Sequence, residues 1–277
     1  MLFVHRSMQN RRAFTLIELL TVVVIIGILA GLVTAAALQV RSTVLKSTHA
    51  IELQELEMAL QAYKERFGEY PPDFTGNTTQ NETLFHRHMR KAFPRCDDAT
   101  IGTIWTNVGQ HQRPETALAF WLGGVDDGSG TPIGFSANPI DPFDATTTSR
   151  IGPFFEKFDP ERLLRVQPGV WRYYPTVEAG QDSPPDANKA IRYYRAENGS
   201  YAGKGSIPFK DSRVEPTPDN YGWINPRSVQ IISPGLQGRA FDNSGANPVF
   251  PAGFNYEERH LEMLSNFTGG TMEDALP

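Results

Sequence analysis

The segment RRAFTLIELLTVVVIIGILAGLVTAAAL, residues 11–38, decides how the rest of the chain is interpreted. Between Thr15 and Val40 the only charged residue is Glu18, and residues 19–38 form a run of 20 uncharged, mostly apolar residues. At about 1.5 Å per residue, a helix of that length covers roughly 30 Å, the thickness of the hydrocarbon core of a bilayer. The run therefore predicts one membrane-spanning helix.

Basic residues in front of the run indicate its orientation. Arg6, Arg11 and Arg12 all precede it, so the positive-inside rule keeps the N-terminus in the cytoplasm and sends the rest of the chain across the membrane. A secretory signal peptide is the alternative, because the alanines at 35–37 are small residues of the kind found at cleavage sites. The length of the run, and a helical pattern that continues beyond it, favour an anchor.

That continuing pattern is an apolar stripe spaced three and four residues apart: Leu53, Leu56, Leu60, Tyr63 and Phe67. Charged residues lie between the members of the stripe. Gly68 is suited to a helix C-terminus, and Pro71 with Pro72 prevents further helix. We expect one nearly continuous helix over residues 15–67, on the order of 80 Å long. Its first half is apolar on all sides and its second half on one side.

Composition excludes some classes of protein. The chain has 277 residues, with 26 Lys and Arg against 31 Asp and Glu, so it lacks the basic surplus typical of nucleic-acid binding. The 24 Gly and 21 Pro indicate a loop-rich body. Cys96 is the single cysteine, which excludes an intramolecular disulfide. Because Asp97 and Asp98 adjoin it, and carboxylates raise the pKa of a thiol, we expect a buried and unreactive side chain.

Residues 11–20, RRAFTLIELL, resemble the leader and methylation motif of type IV pilins and pseudopilins. In that family a membrane aspartic peptidase removes a short basic leader just before a Phe and methylates the new N-terminus. The resemblance implies cleavage between Ala13 and Phe14, followed by N-methylation of Phe14. Glu18 then becomes the fifth mature residue. The family usually has Gly before the cut, where this chain has Ala13.

Glu18 lies about one turn into the apolar helix, where a carboxylate is costly unless it has a partner. Simple solvation at the level of the lipid headgroups is one interpretation. The resemblance implies another, in which Glu18 of an incoming subunit pairs with the Phe14 ammonium of its neighbour and fixes the axial register. Opposite charges attract strongly in a bundle of low dielectric and are expensive there when unpaired.

Later segments resemble the major pseudopilin of type II secretion. LEMALQAYKERFGEYPP, residues 56–72, is similar to its helix-to-head junction, and VQIISPG, residues 229–235, is similar to a strand and turn of its head. The tail at residues 266–274 is similar to the C-terminal stretch of prepilin-type proteins. Strand candidates with β-branched or aromatic residues lie at 169–174, 190–194 and 228–232.

The predicted fold class is α+β, with the long transmembrane-plus-amphipathic helix packed on a small antiparallel sheet. We divide the chain into a leader (1–13), a transmembrane and polymerisation helix (14–40), an amphipathic extension (41–70) and a periplasmic head (71–277). The head contains a long, loop-rich insertion at about 77–219.

Metal sites have limited support in the sequence. His86 and His88 would share a face only in a strand, and surface histidines are the expectation. The resemblance implies a Ca²⁺-binding loop after the last strands, where Asp242 lies with Asn243 and Asn247. An ordinary Asx-rich loop is the alternative. Glu273 and Asp274 could join such a site if the tail folded back onto it.

No HExxH, CxxC, phosphate-loop or Gly-x-Ser-x-Gly motif occurs, so we do not expect an enzyme. The resemblance implies a pseudopilin-type structural subunit of a type II secretion filament, held in the inner membrane by one span with a periplasmic head. Its partners would be the prepilin peptidase, copies of itself, other pseudopilins and the inner-membrane assembly platform. The alternatives are a type IV pilus subunit for adhesion, motility or DNA uptake, and an anchored envelope protein that does not polymerise.

Overall fold

A computed structural model describes residues 15–128, 130–176, 186–214, 222–236, 239–242 and 244–277. Its first helix, α1, spans Leu16–Phe67 and confirms the predicted continuous helix to within one residue. The helix ends where Gly68 takes a φ of 83° and its N–H donates to the carbonyl of Lys64 at 2.6 Å. Only glycine adopts that backbone conformation without strain, which explains why the helix stops there.

The chain divides into two compact units, residues 1–45 and 46–277. The first contains the N-terminal part of α1. The second contains the remainder of α1 and all the other elements of the head: α2 (Thr78–Ala92), α3 (Asp98–Asn107), α4 (Ala117–Gly123), β1 (Val125–Asp126), β2 (Pro132–Ser136), β3 (Arg150–Ile151), β4 (Leu163–Gln167), β5 (Val170–Tyr173), β6 (Arg192–Arg195), β7 (Lys210–Asp211), β8 (Gly222–Trp223), β9 (Val229–Ser233), β10 (Val249–Phe250), α5 (Glu258–Leu261) and β11 (Leu264–Ser265).

The strands form several small sheets. β6, β9 and β11 make an antiparallel sheet with β9 in the centre, where Tyr193 pairs with Ile231 and Ile232 pairs with Ser265. β1, β2 and β3 form a second antiparallel sheet, and β4 and β5 form a hairpin. In the fourth sheet β7 pairs with β8 antiparallel and with β10 parallel. The α+β prediction is confirmed, and each of the three strand candidates overlaps a strand (β5, β6 and β9).

The predicted stripe of α1 is the side that enters the core of the head. Leu53, Leu56, Leu60 and Tyr63 are fully buried and Phe67 is 7% exposed. They join one hydrophobic cluster with side chains from α4, including Trp121, and with side chains from strands of the sheets. Tertiary packing of this stripe therefore stabilises the second half of α1.

The segment at about 77–219, predicted as a loop-rich insertion, also contains the three helices α2, α3 and α4. At the start of α2, Asn77 accepts a hydrogen bond from the Gln80 N–H at 3.0 Å, and the Gln80 side chain accepts from the Asn77 N–H at 3.0 Å. At the start of α3, Asp97 accepts from the N–H of Thr100 at 2.7 Å. These caps satisfy N–H groups that a helix start leaves without a partner.

The junction between α1 and the rest of the head is held through its backbone carbonyls. Arg195 donates to the carbonyl of Tyr70 at 2.6 Å. Tyr193 donates to the carbonyl of Pro71, and Trp121 to that of Pro72, both at 2.9 Å. The donors come from α4 and β6, so distant parts of the sequence meet at this turn and satisfy carbonyls that would otherwise be buried without partners.

The next residue of the junction, Asp73, lies in a buried ion pair. Its Oδ2 accepts from Lys204 Nζ at 2.7 Å and from the Arg195 N–H at 2.8 Å. Its Oδ1 accepts from the Thr75 hydroxyl at 2.9 Å. The Asp73 side chain is 2% exposed and that of Lys204 is 6% exposed. This pair therefore links the junction to the loop after β6.

Candidate functional site

Glu18 lies in the first turn of α1 and closes a capping box with Thr15. Its Oε2 accepts from the Thr15 N–H and from the Thr15 hydroxyl, both at 2.8 Å. In return the Thr15 hydroxyl accepts from the Glu18 N–H at 3.3 Å. This reciprocal pattern satisfies free N–H groups at a helix start, and a carboxylate there also suits the positive end of the helix dipole.

The second carboxylate oxygen of Glu18 is available. No hydrogen bond reaches Oε1 from any residue between 15 and 277 that the structure describes. Glu18 is exposed in this single chain. The carboxylate can therefore keep its capping bonds through Oε2 while a donor from another molecule approaches Oε1.

The helix surface after Glu18 is apolar and exposed. Leu16–Thr34 is the single helix of the described chain that is long and apolar enough to cross a membrane, and none of it is buried inside the molecule. Its two described threonines donate to carbonyls of the same helix: Thr21 to Glu18 at 3.0 Å and Thr34 to Ala30 at 2.8 Å. Their hydroxyls are thus satisfied within the helix, as a lipid or helix-bundle environment requires.

Ala13 and Phe14, the two residues of the expected cleavage site, lie outside the described residues. Cleavage between them and methylation of Phe14 therefore stay predictions. Thr15 is the residue that the sequence analysis missed. Its signal was present, because Thr15-x-x-Glu18 in front of an apolar run is the sequence pattern of a capping box.

The expected calcium ligands are only partly within the described residues. Asp242 accepts from the N–H and hydroxyl of Ser244 at 2.9 and 2.7 Å, and Arg259 Nη1 lies 3.4 Å from its Oδ2. The Asn247 side chain donates to the carbonyls of Gly205 and Pro208 at 3.0 and 2.9 Å. Asn243 lies outside the described residues.

The other candidate ligands are dispersed. Asp274 accepts from the hydroxyl of Thr271 at 2.6 Å, and Glu273 lies in a short 3₁₀ turn beside it. Nowhere in the described ranges do three His, Cys, Asp or Glu side chains come together in a way that could hold a metal ion.

The expectation of surface histidines is wrong for three described residues, the first of which is His49 on α1, 4% exposed. His88 lies on α2 and is 1% exposed, with Nε2 2.9 Å from the Tyr63 hydroxyl and Nδ1 2.8 Å from a carboxylate oxygen of Glu69. His260 is 7% exposed. Because His86 and His88 are on a helix, they do not share a face, and His88 is a structural link between α1 and α2.

Cys96 behaves as expected for a structural thiol. It is 6% exposed and unpaired. Burial, with smaller contributions from Asp141 and Asp97, raises the pKa of its thiol to about 11. A thiol with such a pKa is protonated near neutral pH and is a poor nucleophile.

Comparison with known families places the resemblance at the N-terminus. A family model described as the prokaryotic N-terminal methylation motif matches residues 8–34. No curated protein and no solved structure is significantly similar to the chain. The matched range contains the leader end, Glu18 and most of the exposed apolar helix, and it indicates a membrane-anchored, structural subunit processed by a prepilin peptidase. This N-terminal match supports the resemblance of the chain to the type IV pilin-like family.

Proposed function

We propose that this protein is a pseudopilin-type structural subunit of a type II secretion filament. The prepilin peptidase cuts between Ala13 and Phe14 and methylates the new terminus. One helix then holds the subunit in the inner membrane, with the N-terminus on the cytoplasmic side and the head in the periplasm. The subunit assembles with copies of itself and with other pseudopilins on an inner-membrane platform.

The observation that carries the proposal is the available Oε1 of Glu18 at the start of an exposed apolar helix. A methylated amine at Phe14 keeps its positive charge, and in a helix bundle it needs a negative partner. The carboxylate of a neighbouring subunit supplies one without giving up its own capping bonds to Thr15. Each added subunit is thereby fixed in axial register.

Support for a secretion filament comes from the junction between helix and head. Residues 68–71 carry the Gly-x-Tyr-Pro turn that resembles the major pseudopilin. The alternatives are a type IV pilus subunit and an anchor that does not polymerise. A gene neighbourhood with a secretin and an assembly ATPase, and without a retraction ATPase, would favour secretion over a pilus.

Cysteine crosslinking tests assembly. Single cysteines are introduced along residues 16–37 of the full-length protein in its native membrane, and disulfide-linked dimers are scored on gels. We expect crosslinks that recur every three to four residues, because one helix face meets a neighbour. Buried Cys96 serves as the internal control that does not crosslink. Crosslinks at no position would establish a lone anchor and overturn the proposal.

Calcium at the loop around Asp242 is a second, independent proposal. The Asp242 carboxylate supplies hard oxygen ligands of the kind Ca²⁺ prefers, but the cation has to displace the Arg259 guanidinium. Calorimetric titration of the protein with Ca²⁺ tests this directly. We expect saturable heat that is lost in Asp242→Asn. Absence of heat, together with an unchanged thermal midpoint, would rule the site out.

A further inference from the structure

A cleft of about 320 Å³ lies in the head, beside the C-terminal end of α1, α2 and the end of β6. Four basic side chains line it: Lys64, Arg87, Arg195 and Arg227. The whole chain has a net charge of −5, so this local concentration of positive charge is not part of a generally basic surface. The proposed filament function does not use this cleft.

The two carboxylates of the cleft are already engaged. Glu69 accepts from His88 Nδ1 at 2.8 Å and from Lys91 Nζ at 3.3 Å. Glu197 lies 3.4 Å from Lys204 Nζ. Glu69 also interacts electrostatically with Arg195, one of the four cations. The two acids thus offset part of the positive charge, and four cations against two carboxylates leave the lining of the cleft positively charged.

Two of the arginines have no partner. Arg87 is exposed on α2, and Arg227 is exposed in the turn before β9. Neither side chain makes a hydrogen bond, ion pair or ring contact with any residue in the part of the chain that the structure describes. Two guanidinium groups from distant parts of the sequence thus line one cleft with all their donors available.

The other two cations, Arg195 and Lys64, each contact another residue of the cleft. Arg195 is 9% exposed and donates through Nη1 to the carbonyl of Tyr70 at 2.6 Å. Lys64 Nζ lies 4.4 Å from the centre of the Tyr70 ring. A position in the last turn of α1 lets Lys64 offset the helix dipole. Arg227 lies outside any helix and Arg87 lies well inside α2, so neither of these cations is placed to offset a helix dipole.

A guanidinium group binds phosphate through paired, charge-assisted hydrogen bonds. The volume of the cleft suits a small ligand. A neighbouring groove of about 450 Å³ shares Leu84 and Glu197 with the cleft and continues along α2 past Thr79, Gln80 and Thr83. Hydroxyl and amide groups of this kind are suited to the hydroxyl groups of a polyol.

We propose that the basic cleft binds the phosphate of a phosphate ester whose polyol part lies in the neighbouring groove. Arg87 and Arg227 contact the phosphate oxygens, while Lys64 and Arg195 supply fixed positive charge beneath them. A soluble sugar phosphate and a phospholipid headgroup share this chemistry.

Calorimetry on the full-length protein in neutral detergent at low salt tests the proposal. Glucose 6-phosphate is the probe for a sugar phosphate, and glycerophosphoglycerol, a deacylated lipid headgroup, is the probe for a lipid. We expect saturable binding of at least one ester, and no saturable heat with glucose. The tighter ester identifies the source of the phosphate.

The double variant Arg87→Gln/Arg227→Gln is expected to weaken binding by about tenfold or more, since a hydrogen bond to a charged group contributes about as much as one factor of ten in affinity. Arg95→Gln is the matched control, because Arg95 is exposed, lies outside the cleft and loses the same charge. It should change affinity by less than about twofold.

Arg227→Lys covers the case in which the double variant does not fold. It keeps the charge but loses the paired donors, so we expect binding about threefold weaker or more. No saturable heat with either ester, or unchanged affinity in the folded double variant or in folded Arg227→Lys, would overturn the proposal.

Discussion

The Glu52 carboxylate on α1 accepts hydrogen bonds from both terminal nitrogens of Arg162, with Nη1 3.0 Å from Oε1 and Nη2 2.7 Å from Oε2. Tyr173 donates its hydroxyl to the same carboxylate, and His49 Nδ1 lies 2.9 Å from it. Burial alone would raise the pKa of Glu52, but these hydrogen bonds and the charge of Arg162 lower it to about 2. This cluster ties the amphipathic half of α1 to the β4–β5 hairpin.

Arg162→Met is therefore expected to destabilise the head by about 3 kcal/mol, because it leaves a mostly buried carboxylate without its counter-charge. Urea unfolding of the protein in detergent, followed by near-ultraviolet circular dichroism, measures the change in free energy of unfolding. Lys157→Met is the matched control, since Lys157 pairs with Glu55 at 2.7 Å but is 70% exposed. It should cost less than about 1 kcal/mol. Equal losses in both variants would contradict the assignment.

The buried ion pair of Asp73 and Lys204 gives a second prediction. Lys204→Met should cost about 3 kcal/mol, because it leaves the Asp73 carboxylate, which is 2% exposed, without its ion-pair partner. Adding Asp73→Asn removes that charge, so the double variant should be more stable than the sum of the two single losses indicates. Urea unfolding of all four members of the cycle measures the coupling. Additive losses would show that the pair is not coupled.

Acid should weaken the head in two stages. Burial lowers the pKa values of His88 and His260 below their usual 6.5, so the unfolded chain takes up protons more readily than the folded chain. Stability is therefore complete above about pH 6.5 and is lost as the pH falls below it. The hydrogen bond from His88 lowers the pKa of Glu69 to about 2, and Glu52 has a similar value, so a second loss follows between about pH 4.5 and 2.

His88→Gln separates the two stages. It should reduce, without abolishing, the pH dependence of the free energy of unfolding below about pH 6.5, because the His88 imidazole is gone while that of His260 still titrates. The second, carboxylate stage should remain. His111→Gln is the control, since His111 is exposed, and it should keep both stages. An unchanged slope in His88→Gln would mean that another group is responsible.

The sequence predicted the elements that depend on local pattern. The apolar run, the stripe from Leu53 to Phe67 and Gly68 define α1, because spacing and a single glycine are enough to place a long helix. The burial of His88 was missed because its partners are distant in sequence: Tyr63 lies on α1 and Glu69 in the turn after it. A local window contains no information about such a contact.

The contacts at the junction between α1 and the rest of the head could not be predicted from local sequence either. The carbonyls of residues 70–72 are satisfied by side chains of α4 and β6, which no local pattern predicts. The three helices of the insertion were not predicted for a different reason. Its capping residues Asn77 and Asp97 are visible in the sequence, but the abundance of Gly and Pro in this region outweighed them.

Glu18 combines a local and a proposed intermolecular role, and two substitutions separate them. Glu18→Gln keeps an oxygen that can accept from Thr15 but removes the charge, whereas Glu18→Ala removes both. We expect both variants to insert in the membrane and both to lose most of the helix-periodic crosslinks. Normal crosslinking in Glu18→Gln, with loss only in Glu18→Ala, would assign Glu18 to the helix cap alone.

Mass spectrometry of the mature N-terminus tests most directly whether the chain is processed and assembled as a pilin-like subunit. The protein is extracted from its native membrane, and the N-terminal peptide is sequenced. We expect a chain that begins with N-methylated Phe14, with Glu18 as its fifth residue. A native chain that still begins at Met1, with the basic leader attached, would contradict it.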